Sequence, residues 1–257
     1  MLLLHGFPDF WYVWRNQIPF LAKHGFRVIA LDMRGYNRSD APRGVSNYAA
    51  DILCADVIRV MNALGILSAH VVGHDWGGVV AWNLAARHPE RVRKLVVINA
   101  PHPGAYFRAL TRSSQLLRSW YVFAFQLPLI PERLLGFARF RILRRVWAGE
   151  GGGSGNMTAD DVEKHVKAFS KPGKLTAAIN YYRAALRPVF RLGKSSMVSA
   201  PTLLLWGMKD RYLVPILPEL TLKWVPRLRI RKLDNLGHWP QLESPDTVNA
   251  AIAEFLR

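Results

Sequence analysis

The chain has 257 residues, half of them hydrophobic, and a formal net charge of +17 at neutral pH. This length suits one large α/β domain or a core with an insertion. No apolar run is long and uncharged enough to span a bilayer, and the first residues lack the charged region of a secretory signal. The single Cys54 excludes an internal disulfide and fits a reducing compartment, so a cytoplasmic location is expected.

Short apolar runs alternate with helical patterns, which predicts βαβ units and a mostly parallel sheet flanked by helices. The predicted strands are Leu2–Leu4, Arg27–Asp32, Ala69–Gly73, Lys94–Asn99, Thr202–Trp206 and Leu228–Leu233. The predicted helices are Val13–Lys23, Tyr48–Leu64, Gly78–Arg87 and Pro245–Leu256. The fold class is therefore α/β.

The strand pattern stops after Asn99 and resumes after Pro201, and the stretch between them reads as helices. This divides the chain into a first core part (1–100), a helical cap (101–198) and a second core part (199–257). Within the cap, Arg139–Arg145 is expected to form an amphipathic helix. The glycine-rich stretch Gly149–Gly155 is expected to connect cap helices.

The cap contains 16 Lys and Arg but only 5 Asp and Glu residues. Its basic residues are interleaved with Trp, Phe, Leu and Ile, and no nucleic-acid-binding motif accompanies them, so no nucleic-acid partner is expected. Such a basic surface leaves open a weak peripheral contact with acidic membranes. The oligomeric state is left open between a monomer and a homodimer.

The sequence Gly73-His74-Asp75-Trp76-Gly77-Gly78 places an aspartate where a strand turns into a helix. A serine usually occupies this position in the nucleophile elbow G-x-S-x-G. Because an aspartate with a pKa near ~3.9 is already ionised at neutral pH, it needs no base before it attacks. Attack on a saturated carbon would form an alkyl ester on Asp75, which must then be hydrolysed.

Two further polar residues follow predicted strands. Asp210 comes after the strand Thr202–Trp206, and His238 follows Leu228–Leu233. The order Asp75, Asp210, His238 is the nucleophile–acid–histidine order of α/β-hydrolases. Ligands bind at the carboxyl ends of strands in open α/β sheets, so these residues predict an active site there.

Two further groups are expected at this site, namely backbone amides and tyrosine hydroxyls, whereas several histidines are expected to lie outside it. The backbone amides of Phe7, in His5-Gly6-Phe7-Pro8, and of Trp76 are expected to form an oxyanion hole. A phenol is a suitable neutral donor for a leaving oxygen, and the cap offers such groups. They are Tyr121, Tyr181 and Tyr182. The histidines that we expect to be solvated are His24, His70, His88 and His165.

These segments together resemble the epoxide hydrolases of the α/β-hydrolase superfamily, in particular the group that includes the vertebrate epoxide hydrolases 3 and 4 and bacterial relatives. The matching motifs are His5–Pro8, Leu31–Tyr36 with Ser39–Pro42, Gly73–Gly78, Phe125-Gln126, Asn180–Arg183, Leu205–Gly207 with Asp210, and Gly237–Trp239. The match extends over essentially the whole chain. It implies an α/β-hydrolase fold with an inserted helical cap.

The resemblance also implies the role of each residue. Asp75 would be the nucleophile, Tyr121 and Tyr182 would protonate the epoxide oxygen, and His238 with Asp210 would activate water. Substrate contacts are expected from Phe7, Trp76, Phe125 and Trp239. The product would be a vicinal diol, and the reaction would need no cofactor and no metal. The substrate is expected to be an apolar epoxide, lipid or aromatic, since the cap is rich in aromatic residues.

Arg183 would permit a lipid that carries a carboxylate. Cores of this family carry strands ahead of the first motif, so N-terminal strands are expected to be missing, which would leave one sheet edge unpaired.

Three alternatives remain at this stage. A haloalkane dehalogenase shares the aspartate followed by tryptophan, but its first motif would resemble His-Gly-Asn-Pro, whereas this chain has Phe7. A fluoroacetate dehalogenase would show arginine at the position of Trp76. The chain could also be a non-catalytic ligand-binding relative or a truncated product. A serine esterase is excluded, because the chain contains no G-x-S-x-G motif.

Overall fold

A computed structural model describes residues 1–111, 114–149, 157–186 and 197–257. Within them, six parallel strands form one sheet in the order β2-β1-β3-β4-β5-β6. The strands are β1 Leu2–Leu4, β2 Ile29–Leu31, β3 Ala69–His74, β4 Val92–Ile98, β5 Thr202–Gly207 and β6 Leu228–Leu233. The α/β class and the parallel sheet predicted from the alternating pattern are confirmed.

Helices cover both faces of this sheet. The helices of the core are α1 Gln17–Lys23, α2 Ala50–Ala63, α3 Trp76–Arg87, α10 Leu217–Thr221, α11 Pro240–Glu243 and α12 Pro245–Leu256. Helix α1 begins later than the predicted Val13, and Trp11–Trp14 forms a 3₁₀ turn instead. A start at Gln17 puts Pro19 in the first turn, where its missing N–H costs nothing, whereas a start at Val13 would bury it in the helix interior.

Two hydrophobic clusters lie on opposite faces of the sheet. The side chains of Leu2 and Leu4 belong to one cluster, and that of Leu3 belongs to the other. The adjacent residues Val71 and Val72 of β3 divide in the same way. Because both faces are covered, the strands are continuous apolar runs rather than alternating ones. The edge strand β2 is only half-buried.

The cap helices lie between β4 and β5. They are α4 Pro103–Leu110, α5 Gln115–Arg118, α6 Trp120–Ala124, α7 Ile130–Trp147, α8 Ala159–Phe169 and α9 Lys174–Ala185. The exact bounds predicted for core and cap stay a prediction. The glycine-rich connector predicted at Gly149–Gly155 lies, apart from Gly149, outside the described residues.

Helix α7 is interrupted, although the sequence predicted a continuous amphipathic helix over Arg139–Arg145. Phe137 is extended (φ −58°, ψ 142°), and the next three residues, Ala138 to Phe140, have φ between 47° and 64°. Regular right-handed backbone resumes after Phe140. Helical periodicity in the side chains cannot reveal such a break, because the residues on either side keep the same apolar spacing. The break separates two half-helices that both face the cavity described below.

Candidate active site

Asp75 occupies the sharp turn between β3 and α3. Its backbone has φ 49° and ψ −122°, a conformation that residues with a side chain rarely adopt. The turn also brings the chain against β1, since a Cβ atom on Gly77 would collide with the carbonyl of Leu4. A Cβ atom on Gly6 would collide with the Asp75 carboxylate itself. The glycines therefore allow the carboxylate to project at the carboxyl ends of β1 and β3.

A backbone amide contacts one oxygen of this carboxylate, and a second amide lies next to it in the chain. The amide of Phe7 donates to Asp75 Oδ1 at 2.7 Å. Trp76 is the first residue of α3, where backbone N–H groups have no acceptor within the helix. The two amides predicted for an oxyanion hole thus lie next to Asp75.

His238 lies between the two acidic residues of the site. Its Nδ1 is 2.7 Å from Asp210 Oδ2, and its Nε2 is 3.6 Å from Asp75 Oδ2. The carboxylate of Asp210 is buried and also accepts the backbone amides of Tyr212 at 2.7 Å and Leu213 at 3.0 Å. The structure therefore brings together the three residues that the sequence order singled out.

Asn99 also contacts Asp210, although the sequence analysis did not predict it as a site residue. Its Nδ2 donates to Asp210 Oδ2 at 2.7 Å, and its Oδ1 accepts the Gly207 amide at 2.9 Å. Asn99 directly follows β4 and has a positive φ of 41°. It thus meets the same criterion of a polar residue at a strand end that identified Asp210, and the sequence held a signal for it.

Charge and burial act in opposite directions on the paired groups. Burial opposes a charge on His238, but the carboxylates of Asp210 and Asp75 outweigh it and raise the pKa of His238 to about 10. Burial would raise the pKa of Asp210, but His238 and the hydrogen bonds from His238 and Asn99 lower it below its usual value. In the resting site, His238 is therefore a cation held between two carboxylates.

Two other buried histidines form hydrogen bonds with the backbone around the site. His74 Nε2 donates to the backbone oxygen of His238 at 2.8 Å, and burial lowers the pKa of His74 to about 4, so its ring stays neutral. His5 Nδ1 donates to the oxygen of Gly6 at 2.9 Å, which leaves its Nε2 to accept the amide of Met33 at 3.0 Å. Both rings fix loops that carry site residues.

The cap contributes two phenols to the site. The rings of Tyr121 and Tyr182 lie 5.8 Å apart, and that of Tyr182 contacts the Trp76 ring at 4.9 Å. Both tyrosines line the same cavity as Asp75. Tyr181 points away, since its hydroxyl donates to the oxygen of Arg34 at 2.7 Å. The structure thus separates the two adjacent tyrosines in the way that the resemblance implied.

The phenols are held in their protonated form. Burial raises the pKa of Tyr121 and of Tyr182 well above the usual value for a phenol, and the negative charge of Asp75 raises both further. A neutral phenol can donate a hydrogen bond, whereas a phenolate cannot. The cap therefore presents two O–H donors to the cavity that Asp75 lines.

The guanidinium of Arg183 forms its ion pair and hydrogen bonds within the cap. Its guanidinium forms a bidentate pair with Glu132 at 2.6 and 3.1 Å, and it donates to the oxygens of Phe125 at 2.9 Å and Leu127 at 2.7 Å. The expectation that Arg183 could bind a carboxylate on the substrate is therefore wrong. Its donors instead join α9, which carries Tyr182, to the end of α6 and to α7.

A buried hydrogen-bond chain, also missed in the sequence, links core and cap. Asp9 is fully buried and accepts from Trp239 Nε1 at 2.9 Å and from His165 Nε2 at 3.2 Å. His165 Nδ1 donates to the backbone oxygen of Asp161 at 2.8 Å. The prediction that His165 is solvated is wrong, because its ring is fully buried on the inner face of α8. The chain fixes the Trp239 ring, which packs edge-on against His238 at 4.7 Å.

A cavity of about 690 Å³ opens from Asp75 into the cap. Phe7, Phe125 and Trp239 line it, and their substrate contacts stay a prediction; its charged lining groups are Asp75, Arg118, Arg211 and His238. A smaller cavity of about 100 Å³ also reaches Asp75, Tyr121 and Tyr182 and is lined by Trp76. Most of the lining is aliphatic or aromatic, which suits an apolar ligand. Among the described residues, no cluster of three acidic, His or Cys residues could hold a metal ion.

Comparison with known proteins agrees with this geometry. Residues 1–245 match the family model of the alpha/beta hydrolase fold. The chain is 40% identical to epoxide hydrolase 4 of Mus musculus over 265 residues, which cover the whole chain and 72% of that protein. The chain belongs to the epoxide hydrolases of the α/β-hydrolase fold family. The resemblance predicted from the motifs is thereby confirmed, together with the fold.

Solved structures agree with this assignment. An epoxide hydrolase of Bacillus megaterium in complex with an inhibitor superposes with a TM-score of 0.91 at 34% identity, covering all of this chain and 92% of that one. A phenylalanine-to-alanine variant of that enzyme, with a TM-score of 0.90 and the same identity and coverage, is complexed with its product (R)-3-[1]naphthyloxy-propane-1,2-diol.

No helix of the described residues is long and apolar enough to cross a membrane.

Proposed function

We propose that this protein hydrolyses an apolar epoxide to a vicinal diol through a covalent ester on Asp75. The observation that carries the proposal is that a carboxylate and two protonated phenols line one apolar cavity, with a histidine beside the carboxylate. An epoxide needs a nucleophile on one of its carbons and a proton for its oxygen at the same time. The lining of this cavity supplies these two groups.

In the first step, an oxygen of Asp75 bonds to an epoxide carbon while the ring C–O bond breaks. The electron pair of that bond stays on the epoxide oxygen, which takes a proton from Tyr121 or Tyr182. The product is an alkyl ester on Asp75 with a neighbouring hydroxyl, and one tyrosine is left as a phenolate. Both phenols support this step because one can donate while the other keeps the developing oxyanion hydrogen-bonded.

Formation of the ester changes the state of His238. The charge of Asp75 helps to keep the pKa of His238 at about 10, and the ester removes that charge. Loss of a neighbouring anion lowers the pKa of a histidine. His238 then releases its proton, and the phenolate left by the first step takes up a proton, so that His238 becomes neutral and the tyrosine is again a phenol. The first half-reaction thus prepares the base that the second half-reaction needs.

In the second step, neutral His238 takes a proton from water, and the water oxygen attacks the ester carbonyl of Asp75. The resulting oxyanion is stabilised by the amides of Phe7 and Trp76, each a donor of the kind worth about 3 kcal/mol in related acyl-transfer sites. Collapse of the intermediate releases the diol, which receives the second proton of the water. Asp75 is again a carboxylate and His238 again a cation.

The decisive experiment uses the variant His238→Gln, in which alkylation proceeds but hydrolysis does not. Suitable probes are styrene oxide, an epoxy-fatty acid and the glycidyl ether of 1-naphthol, which matches the diol bound by the Bacillus megaterium variant. Intact-protein mass spectrometry should show the mass of one epoxide added to the variant. The double variant Asp75→Ala/His238→Gln should show none. Absence of the adduct in the first variant, or its presence in the second, would contradict the proposal.

The haloalkane dehalogenase alternative shares the ester on Asp75 and differs in the leaving group. Incubation of the unmodified protein with 1-chlorobutane tests it through chloride release. We expect no chloride, since Phe7 presents a phenyl ring at the position where that family would have an asparagine. Chloride release without diol formation from the three epoxides would favour the alternative.

A further inference from the structure

The cap exposes an unusually apolar surface around the opening of the large cavity. Six side chains of α5 to α7 and their connections define it, which we call the mouth surface. They are Leu117 (77% exposed), Trp120 (68%), Leu129 (62%), Leu134 (58%), Phe137 (69%) and Ile142 (48%). Folded monomers rarely expose large apolar residues in such a contiguous group without a partner for them.

The mouth surface is continuous with the interior of the cavity. Leu117, Trp120, Leu134 and Ile142 are exposed to solvent and also line the cavity that leads to Asp75. Leu129 and Phe137 do not line that cavity, but each adjoins lining residues in the chain: Leu129 precedes Ile130, and Phe137 lies between Leu135 and Ile142. An apolar molecule could therefore pass from the mouth surface to Asp75 along aliphatic and aromatic side chains.

The segment that carries the mouth surface is strongly basic. Residues 115–147 contain six arginines and a single acidic residue, Glu132. Glu132 is already paired with Arg183. Arg133 and Arg141 are exposed on α7, and neither has an acidic partner within the described residues. The apolar surface thus carries excess positive charge.

We propose that the mouth surface docks on the headgroup region of a bilayer that contains anionic lipids. Aromatic and aliphatic side chains interspersed with arginines are the composition of surfaces that lie in a membrane interface. Unpaired arginines add attraction to acidic headgroups. A second copy of this chain would bring two arginine-rich surfaces together, and any protein partner there would close the opening of the cavity. A bilayer instead dissolves apolar substrates and delivers them to that opening.

Flotation with vesicles tests this docking independently of any activity. The protein is mixed with vesicles of pure phosphatidylcholine and with vesicles in which about a third of the lipid is phosphatidylglycerol. We expect the protein to float with the anionic vesicles, to bind neutral ones at least about 10-fold more weakly, and to dissociate at high salt. Absence of binding to the anionic vesicles would overturn the proposal.

Two pairs of substitutions separate the apolar from the charged contribution. Leu129→Ser/Phe137→Ser removes apolar contacts, and Arg133→Gln/Arg141→Gln removes charge; each should weaken binding to anionic vesicles about 10-fold. The matched controls are Leu67→Ser/Leu222→Ser and Arg43→Gln/Arg227→Gln, which change the same number of exposed residues in the core and should bind normally. Circular dichroism melts and turnover of a water-soluble epoxide check that all variants are folded.

Two further outcomes count against docking. Equal binding by the mouth-surface variants and the controls would overturn it, because the attraction would then come from the net charge of the whole protein. A wild-type dimer without vesicle binding, which becomes monomeric in Leu129→Ser/Phe137→Ser, would also overturn it. That result would assign the mouth surface to contact between two copies.

Discussion

The core and the cap contribute to one cavity by different physical means. In the core, Asp75, Asp210 and His238 are fixed by directional hydrogen bonds from backbone amides and from Asn99 at strand ends. In the cap, Tyr121 and Tyr182 are placed by ring packing and by an ion pair that lies outside the cavity. The charged residues of the core are held by hydrogen bonds, whereas the tyrosines of the cap are held mainly by packing against other rings. The apolar residues of the cap around the two tyrosines can therefore change without disturbing the hydrogen bonds that hold Asp75, Asp210 and His238.

The largest effect should follow from removing the nucleophile. Asp75→Ala is expected to lower turnover of an epoxide by at least about 10⁴-fold, since no other carboxylate of the described residues lines the cavity of the two tyrosines. Asp51→Ala, at an exposed site on α2, is the matched control and should retain activity. Diol formation is measured by liquid chromatography. Near-normal turnover in Asp75→Ala would mean that the core does not provide the nucleophile.

The adjacent tyrosines provide the next comparison. Tyr182→Phe should lower the rate of ester formation by about 10²-fold, because it removes a proton donor. Tyr181→Phe removes only the hydrogen bond to Arg34 and should cost about 1 kcal/mol of stability while ester formation stays near normal. Stopped-flow tryptophan fluorescence under single-turnover conditions measures the rate. Equal losses in the two variants would show that position in the cavity does not matter.

Breaking the ion pair of the cap should cost stability. Glu132→Ala leaves the guanidinium of Arg183 largely buried without its carboxylate, so we expect a loss of about 2 kcal/mol in the free energy of unfolding. Glu254→Ala breaks an exposed pair with Arg231 and should cost less than about 0.5 kcal/mol. Urea unfolding measures both. A cost in Glu132→Ala no larger than in Glu254→Ala would mean that packing alone holds the cap.

The smallest effect concerns the charge state of His238. With Asp75 replaced by Ala, one of its two anions is lost, so its pKa should fall from about 10 by at least about one pH unit. Asp210 remains, so the pKa should stay above that of a free histidine. NMR titration of the imidazole measures this shift. An unchanged pKa would mean that ester formation cannot convert His238 into a base.

More of the site residues in the core than in the cap could be predicted from the sequence. Asp210 and His238 could be predicted because parallel strands align their carboxyl ends, so polar residues after strands converge. Asn99 obeyed the same rule but was overlooked. Tyr182 could be told from Tyr181 only by resemblance, since neighbouring residues on a helix point in different directions and periodicity does not say which one faces a cavity.

The remaining errors have a common cause in tertiary contacts. His165 and Arg183 are polar residues on helices, for which solvent exposure is the usual outcome. Each is instead paired with a carboxylate distant in sequence, Asp9 and Glu132 respectively. Such partners cannot be found from local pattern. The break in α7 is a further case, because right-handed and left-handed backbone can carry the same sequence of apolar and basic residues.

The two cavities that meet at Asp75 differ about sevenfold in volume, about 690 against about 100 Å³. In the proposed reaction, an epoxide that carries a substituent on each carbon and is held by its oxygen at Tyr121 and Tyr182 would place one substituent in each cavity. A molecule with one bulky and one compact substituent would then fit in a single orientation. That orientation would determine which epoxide carbon lies next to Asp75. In the proposed reaction, this unequal space would favour one regiochemistry and, for chiral epoxides, one enantiomer.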